Sequence, residues 1–341
     1  IRIDLLLKKT MTSNFRALEA SESEGKFDLS IVEKKVEDLP EGDLLIKVSY
    51  SSLNYKDAMS ATGMPGVTRS YPHIPGIDAV GAVVNSEVSD FKEGDYVIVT
   101  GYDLGMNTSG GFGEYIRVPA SWAIHLPKGL SEKQSMSLGT AGLTAGLSVH
   151  ALDSFRKWAG FKETKSIVTG STGGVGSVSV MLLSKLGSEV TAVTGKNDQA
   201  DFLSSLGTSN ILSREELSET ARKPIGKSLW DIGVDVVSGE TLGLLLTSLS
   251  PGGAIACSGL VGGPSFESSI FPFILRGNAL IGIDSVEIPL KTKEHIWEHF
   301  SSDWALEGLE SITTEVSLDN LEKEITSILK GNQVGRILVK I

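Results

Sequence analysis

The sequence predicts an α/β chain of two domains, one β-barrel-like and one a doubly wound parallel sheet. Three observations predict it. From Phe15 to about Ala120 the chain reads as short strands between turn signals. From about Ser131 the apolar period becomes helical. Between them in importance stands Ser166-Ile-Val-Thr-Gly-Ser-Thr-Gly-Gly-Val-Gly176, where a β-rich piece runs into glycines 170, 173, 174 and 176 and then a helical pattern through Val178, Met181, Leu182 and Leu186. Strand, glycine turn and helix is the order in which a parallel αβ unit holds a pyrophosphate, with backbone N–H groups and the helix N-terminus facing the phosphates. Such glycine spacing alone is a weak signal, because any tight turn favours glycine. The strand-like run Ser188–Thr194 supplies the context, at the place of the second strand.

Taken in order, Phe15–Glu19 and Leu29–Val36 are strand candidates, and Pro40–Asp43 is a turn. Residues 44–51 alternate with a period of two. Ser51–Met59 breaks that rhythm as a short polar helical turn, and Pro65–Pro75 is a loop. Gly76–Val84 and Tyr96–Thr100 are strands joined through Phe91–Asp95, and Glu114–Val118 returns to strand. Leu138–Leu152 is a helix rich in small residues. After the glycine unit, Asp201–Leu206 is helix, Ser209–Leu212 and Asp231–Val237 strands, Leu242–Leu249 helix and Gly252–Ser258 strand, the alternation of a parallel sheet. Ala279–Asp284 follows as strand, Thr292–Trp304 and Leu318–Lys330 as helices, and Arg336–Ile341 as a last strand that completes the β domain.

What ends the second strand selects the dinucleotide. A ribose 2′-hydroxyl calls for Asp or Glu there, whereas a 2′-phosphate calls for a cation. The residues are Thr194-Gly195-Lys196-Asn197, with no acid before Asp198, so NADPH is expected over NADH. Arg214 is a candidate second cation.

At 341 residues the chain fits two domains of about 150 residues each. A net charge of −11 argues against a general nucleic-acid or anionic-membrane binder. The single cysteine, Cys257, rules out an intramolecular disulfide or a cysteine cluster for structural zinc, and its apolar strand marks an inert core residue. No apolar run approaches the roughly 20 residues that span a bilayer. In residues 1–10 the apolar core is only Leu5–Leu7, too short for a secretory signal. A natural start is expected at Met11, and a cytoplasmic location for the chain.

Five motifs carry a resemblance over Thr12 to Ile341: Asn54-Tyr-Lys-Asp57, Pro75-Gly-Ile-Asp78, Gly139-Thr-Ala-Gly-Leu-Thr-Ala145, Val168–Gly176 and Phe271-Pro-Phe-Ile-Leu-Arg-Gly277. With them the sequence resembles the zinc-independent medium-chain dehydrogenase/reductases, in the quinone oxidoreductase-like branch that contains acryloyl-CoA reductases. The resemblance implies a GroES-like β-barrel catalytic domain over residues 12–136, a Rossmann NADP-binding domain over 137–276, and a return to the catalytic domain over 277–341. It also implies a cofactor cleft between the domains and a homodimer.

Catalytic zinc needs about three protein ligands, usually including Cys or His. Gly76-Ile77-Asp78 and five scattered histidines offer no such set; His295 and His299, four apart on a helix, read as a solvated face. No metal is expected. Hydride delivery must then rest on positioning and on donors at the developing charge. Tyr55 and Asn54 are the catalytic candidates, the phenol as a donor toward an enolate, and the resemblance gives Tyr55 a cofactor contact. Lys56 and Asp57 form either a surface pair or, through Asp57, a loop brace. Ser171, Thr172, Gly173, Gly174 and Val175 are expected to cradle the pyrophosphate, with Thr194, Gly195 and Lys196 beyond it. Leu260 follows a strand at the sheet's carboxyl edge; the resemblance adds Thr140, Ile274, Ser285 and Asn332 as cofactor contacts. The expected reaction is NADPH-dependent reduction of an activated C=C bond in an enoyl-CoA of the acryloyl-CoA type, with enones or quinones as alternative substrates. Arg69 and Arg276 either pair with CoA phosphates or are solvated. The rival class is a dinucleotide-binding protein without turnover. A P-loop hydrolase is disfavoured because Ser177, not a Lys-Ser/Thr pair, follows Gly176.

Overall fold

Alternating burial sets the first strands. β1 (Asn14–Ser23) buries Phe15, Ala17 and Ala20 and pairs antiparallel with β2 (Lys26–Lys35) as a two-stranded ribbon. The computed structural model describes residues 14–220 and 225–341, so the start expected at Met11 lies outside them. β3 (Leu44–Leu53), helix α1 (Tyr55–Ala61), β4 (Asp78–Ser86), β5 (Tyr96–Thr100), β6 (Tyr115–Val118) and β7 (Ala123–His125) follow. The stretch expected as one helical turn, 51–59, is divided: Ser51–Leu53 finish β3, and the helix begins after Asn54, its extended N-cap.

Helix α2 (Glu132–Phe155) is longer than the expected 138–152 and is interrupted at Gly139, where φ is 53° and ψ −157°. The wound sheet comes next, with β8 (Lys165–Val168), α3 (Gly174–Lys185), β9 (Glu189–Thr194), α4 (Ala200–Ser205), β10 (Asn210–Ser213), α5 (Arg214–Thr220), β11 (Trp230–Asp235), α6 (Gly239–Thr247), β12 (Leu249–Cys257), α7 (Phe271–Arg276) and β13 (Ala279–Gly282). Its strand order is β10-β9-β8-β11-β12-β13, and every neighbouring pair is parallel. This is the order of a doubly wound dinucleotide-binding sheet, which places ligands outside the carboxyl ends of the strands. Ile167, Val193 and Ile255 from the strands pack with Leu242, Leu245 and Leu246 from α6 in its core.

The chain closes with α8 (Leu290–Phe300), β14 (Thr313–Ser317), α9 (Leu321–Leu329) and β15 (Arg336–Lys340). β15 pairs antiparallel with β3 and parallel with β14, giving a seven-stranded sheet ordered β14-β15-β3-β4-β5-β7, with β6 also on β3. By contacts the described chain divides into residues 14–140, 286–302 and 308–341, and residues 141–220, 225–285 and 303–307. The return expected at residue 277 comes later, at Val286, because β13 adds in parallel to β12 as the edge of the wound sheet. No helix among the described residues is long and apolar enough to cross a membrane.

One buried cation ties the return to the first unit. Lys293 on α8 is fully buried, donates to the carbonyls of Thr100 at 2.7 Å and Val286 at 2.9 Å, and lies 3.4 Å from the centroid of the Tyr102 ring. Lys293→Met keeps the apolar stem and strips both carbonyls of their donor. We expect it to lower the urea unfolding midpoint, with a loss on the order of 2 kcal/mol.

Candidate functional site

In the second unit the turn between β8 and α3 is built by close backbone approach. Gly170 has φ +55°, a conformation that L side chains rarely adopt, and a Cβ on Gly176 would collide with the Gly170 carbonyl oxygen. The donors of this turn divide into two groups. Ser171 gives its amide (3.2 Å) and its hydroxyl (2.9 Å) to the Val193 carbonyl, and the Gly173 amide goes to the Gly170 carbonyl at 2.9 Å. Those two residues, expected to cradle a pyrophosphate, are therefore struts that fix the turn. Gly174 and Val175, partly exposed in the first turn of α3, carry the N–H groups that a helix leaves without internal partners. Thr172, Thr194, Gly195, Lys196 and Arg214 line one pocket with them at the carboxyl ends of β8 and β9.

Lys196 and Arg214 converge on that pocket. The Arg214 guanidinium lies over Gly195, where a Cβ would meet its Cζ at 3.0 Å. Burial holds the Lys196 ammonium below the usual lysine range and the neighbouring Arg214 charge adds to this, while Asp198 pulls the other way. Arg214 opens a helix that sequence reading did not mark. On the neighbouring strand, buried Asp235 accepts from Thr169 Oγ1 at 2.6 Å and from the Ser238 amide at 2.8 Å. Burial, reinforced by Asp235, pushes the Cys257 thiol up to about 11, which leaves it a protonated and unreactive donor.

In the first unit the Asn54-Tyr-Lys-Asp57 motif is not a surface feature. Asp57 is fully buried; it accepts from the Ile77 amide at 2.7 Å through Oδ1 and from the Asn54 amide at 2.7 Å through Oδ2. Asn54 and Asp57 form the capping box of α1. The surface-pair reading of Lys56 and Asp57 is thereby corrected, since a carboxylate taking two backbone amides is the brace of this loop. Asp78, also fully buried, takes Ser52 Oγ at 2.5 Å, Asn54 Nδ2 at 2.7 Å and the Thr140 amide at 2.9 Å on Oδ2, and Thr140 Oγ1 at 2.5 Å on Oδ1. The Arg336 guanidinium is buried beside them, donating to the carbonyls of Ser137 at 3.0 Å and Leu53 at 3.3 Å. Asp57 is raised to about 7, first by burial and then by the charge of Asp78. Tyr55, 37 % exposed, is the first residue of α1. The structure thus brings Asn54, Tyr55 and Thr140 into one unit around Asp78. Sequence reading quoted Asp78 only as part of a motif and took Arg336 as an ordinary strand residue.

The remaining candidates are dispersed. Leu260 and Ile274 are more than half exposed. Ser285 is buried and accepts from Thr144 Oγ1 at 2.8 Å. Asn332 is exposed in the turn after α9, its amide on the Ser327 carbonyl at 3.1 Å. Arg276 is neither solvated nor offered to a phosphate, because it donates to the carbonyls of Gly226, Thr247 and Leu249. Arg69 is exposed.

Comparison with known proteins agrees with this arrangement. Residues 40–128 match the alcohol dehydrogenase GroES-like domain, and residues 174–302 match the zinc-binding dehydrogenase domain. The acrylyl-CoA reductase AcuI of Ruegeria pomeroyi is 38 % identical over 96 % of this chain and 99 % of its own. YhfP of Bacillus subtilis, assigned by name to the quinone oxidoreductases, is 42 % identical over 97 % of this chain and all of its own; its crystal structure with NAD bound superposes with a TM-score of 0.93. The YhdH oxidoreductase of Salmonella enterica in complex with NADP is 39 % identical, covers 96 % of this chain and 99 % of its own, and gives a TM-score of 0.91. The chain belongs to the zinc-independent medium-chain dehydrogenase/reductases. It is an oxidoreductase of their quinone oxidoreductase and acrylyl-CoA reductase branch. The zinc in one matched domain's description does not fit this member: among the described residues no three His, Cys, Asp or Glu side chains gather where a metal ion could be held.

The buried carboxylates of this oxidoreductase have a consequence for stability. Asp57 holds its proton to about pH 7 in the folded protein, whereas an unfolded aspartate releases it near 3.8. The folded state therefore binds more protons in that interval, and stability from this group falls as pH rises toward 7 and is level above it. Urea midpoints measured between pH 5 and 8 are expected to show this fall, and Asp57→Asn is expected to flatten it.

Proposed function

We propose that the protein is an NADPH-dependent reductase of activated carbon–carbon double bonds, acting on an acryloyl thioester or a related enone. The observation that carries the NADPH reading is the pair of cations, Lys196 and Arg214, at the end of β9 where a 2′-hydroxyl would call for a carboxylate. The crystal structure of the YhdH oxidoreductase with NADP supports the same choice, and the likeness to AcuI supports the thioester. When bound, NADPH supplies the hydride that adds to the β-carbon, while a proton from a side chain or water completes the α-carbon.

Each unit has its own part in this reading. Thr172, Gly174 and Val175 bind the pyrophosphate, and Lys196 and Arg214 bind the 2′-phosphate. Leu260 offers its backbone to the nicotinamide, with Thr140, Ile274, Ser285 and Asn332 as further contacts. Tyr55 presents a hydroxyl donor toward the substrate carbonyl as negative charge grows there, the role for which a preorganised donor lowers a barrier most. Quinones are the second reading, favoured by the likeness to YhfP.

The protein acts as a homodimer in this proposal. Leu260, Val261, Ile270, Ile274 and Leu275 are all more than half exposed, beside the uncovered edge strand β13. An apolar cluster next to an unpaired strand edge calls for a partner, and a second copy of the same edge meets it with the same surface. A single cysteine and an acidic balance fit a cytosolic enzyme.

Three measurements test the proposal. Steady-state NADPH oxidation should be supported by acryloyl-CoA ahead of quinones; turnover of quinones alone removes the thioester. Lys196→Asp is expected to cut the kcat/KM preference for NADPH over NADH by about tenfold or more, as loss of a charged hydrogen bond to phosphate would. Leu275→Glu is expected to shift the mass measured by light scattering from two copies to one.

A further inference from the structure

Asn54 was singled out as a polar group at the reacting end, without a decision on whether it gives or takes a hydrogen bond. The structure decides this. Its amide nitrogen lies 2.7 Å from Asp78 Oδ2 and 3.2 Å from Asp57 Oδ2, with the Ser52 carbonyl at 3.3 Å. An amide carries two N–H donors and one acceptor oxygen. Turned over, it would set that oxygen against two carboxylate oxygens, so the orientation is fixed by charge. Both donors are committed to buried acceptors. The polar atom with capacity left is Oδ1, which has two lone pairs, on a residue that keeps 9 % of its surface exposed.

An acceptor at this position selects its ligand. The reacting end of an acryloyl thioester, an enone or a quinone carries only carbonyl oxygens and cannot donate to Oδ1. In a mixture of NADPH with such a substrate, the reacting-end donor of fixed geometry is the carboxamide NH2 of the nicotinamide. We infer that Asn54 is a cofactor-reading acceptor that takes this N–H, and that Asp78 is the positioning residue that fixes the polarity by holding the Asn54 amide hydrogen. Asn54 is then not a donor to the developing enolate, and Tyr55 is the donor of that helix turn. This inference rests on the proposed NADPH-dependent reaction.

The test is equilibrium binding, followed by calorimetry without substrate. The 3-acetylpyridine analogue of NADP+ keeps the ring carbonyl and replaces the NH2 with a methyl group, so it removes only the donor. The unaltered protein is expected to bind the analogue about tenfold more weakly than NADP+. Asn54→Ser and Asp78→Asn are each expected to bring that ratio close to one. In both variants binding of 2′,5′-ADP, the half of the cofactor without nicotinamide, should be unchanged, a combination that general loss of structure does not produce. A ratio near one in the unaltered protein overturns the inference even if neither variant folds. A ratio that persists in folded Asn54→Ser overturns it as well. If the unaltered protein binds 2′,5′-ADP but not NADP+ over the analogue, this inference fails alone; if it binds neither NADP+ nor 2′,5′-ADP, the proposed function fails and takes this inference with it.

Discussion

Four hydrogen-bond donors on the carboxylate of Asp78 hold the first unit's polar centre together. A buried charge is tolerated only where donors or an opposite charge replace the water it has lost. Each donor comes from a point where an element begins, ends or breaks: Ser52 at the end of β3, Asn54 at the cap of α1, Thr140 after the interruption in α2. The interruption at Gly139 is what makes the Thr140 amide available, since a continuous helix would turn that N–H toward its own carbonyls. Glycine is required there, because a Cβ would meet Ser52 Oγ, Asp78 Oδ2 and Arg336 Nη2 together. Asp57 and Arg336 complete the group. With Asp57 protonated near neutral pH, Asp78 and Arg336 remain as one opposite-charge pair, which is the arrangement that burial disfavours least.

The second unit solves a different problem with opposite means. Its ligand brings the negative charge, so the protein must present donors and must keep its own acceptors occupied. The turn after β8 does so by committing Ser171 and Gly173 to internal carbonyls, which leaves the helix-terminal amides of α3 as the available groups. Lys196 and Arg214 hold two positive charges close together at a cost that appears as the lowered proton affinity of the lysine. Like charges gathered in a pocket are destabilising until an anion arrives, and that cost is a common mark of a binding site.

Much of this was legible in the sequence, because it depends on periodicity and on glycine. The order of strands and helices from Lys165 to Gly282 follows from alternating periods and from one glycine turn. The pair at the end of β9 follows from a cation where an acid would otherwise stand. Three things were hidden. The polarity of Asn54 and the burial of Asp57 depend on β4, more than twenty positions away, and on a helix start at residue 140. The role of Arg336 depends on strand pairing between β15 and β3, which brings together residues 283 positions apart. The division of the glycine-turn residues into struts and cradle depends on Val193 from the neighbouring strand. In each case the deciding partner is distant in the chain, and local pattern carries no trace of it.

Polarity is the step that links the two units to one reaction. Hydride transfer demands that a nicotinamide be held in one orientation while a neutral acceptor gains charge. Orientation needs a partner that can tell the two faces of a carboxamide apart, and charge development needs a donor. Adjacent residues at the start of α1 meet these demands by opposite chemistry: Asn54, its N–H groups taken by carboxylates, accepts, and Tyr55, partly exposed with its hydroxyl on a mobile torsion, donates. Had Asp78 been neutral, the amide at 54 would have been free to present either end, and the neighbouring positions would have offered the same chemistry to both ligands. A buried charge in a site without metal therefore has a use beyond holding the fold, because it makes one side chain's hydrogen-bonding sense unambiguous.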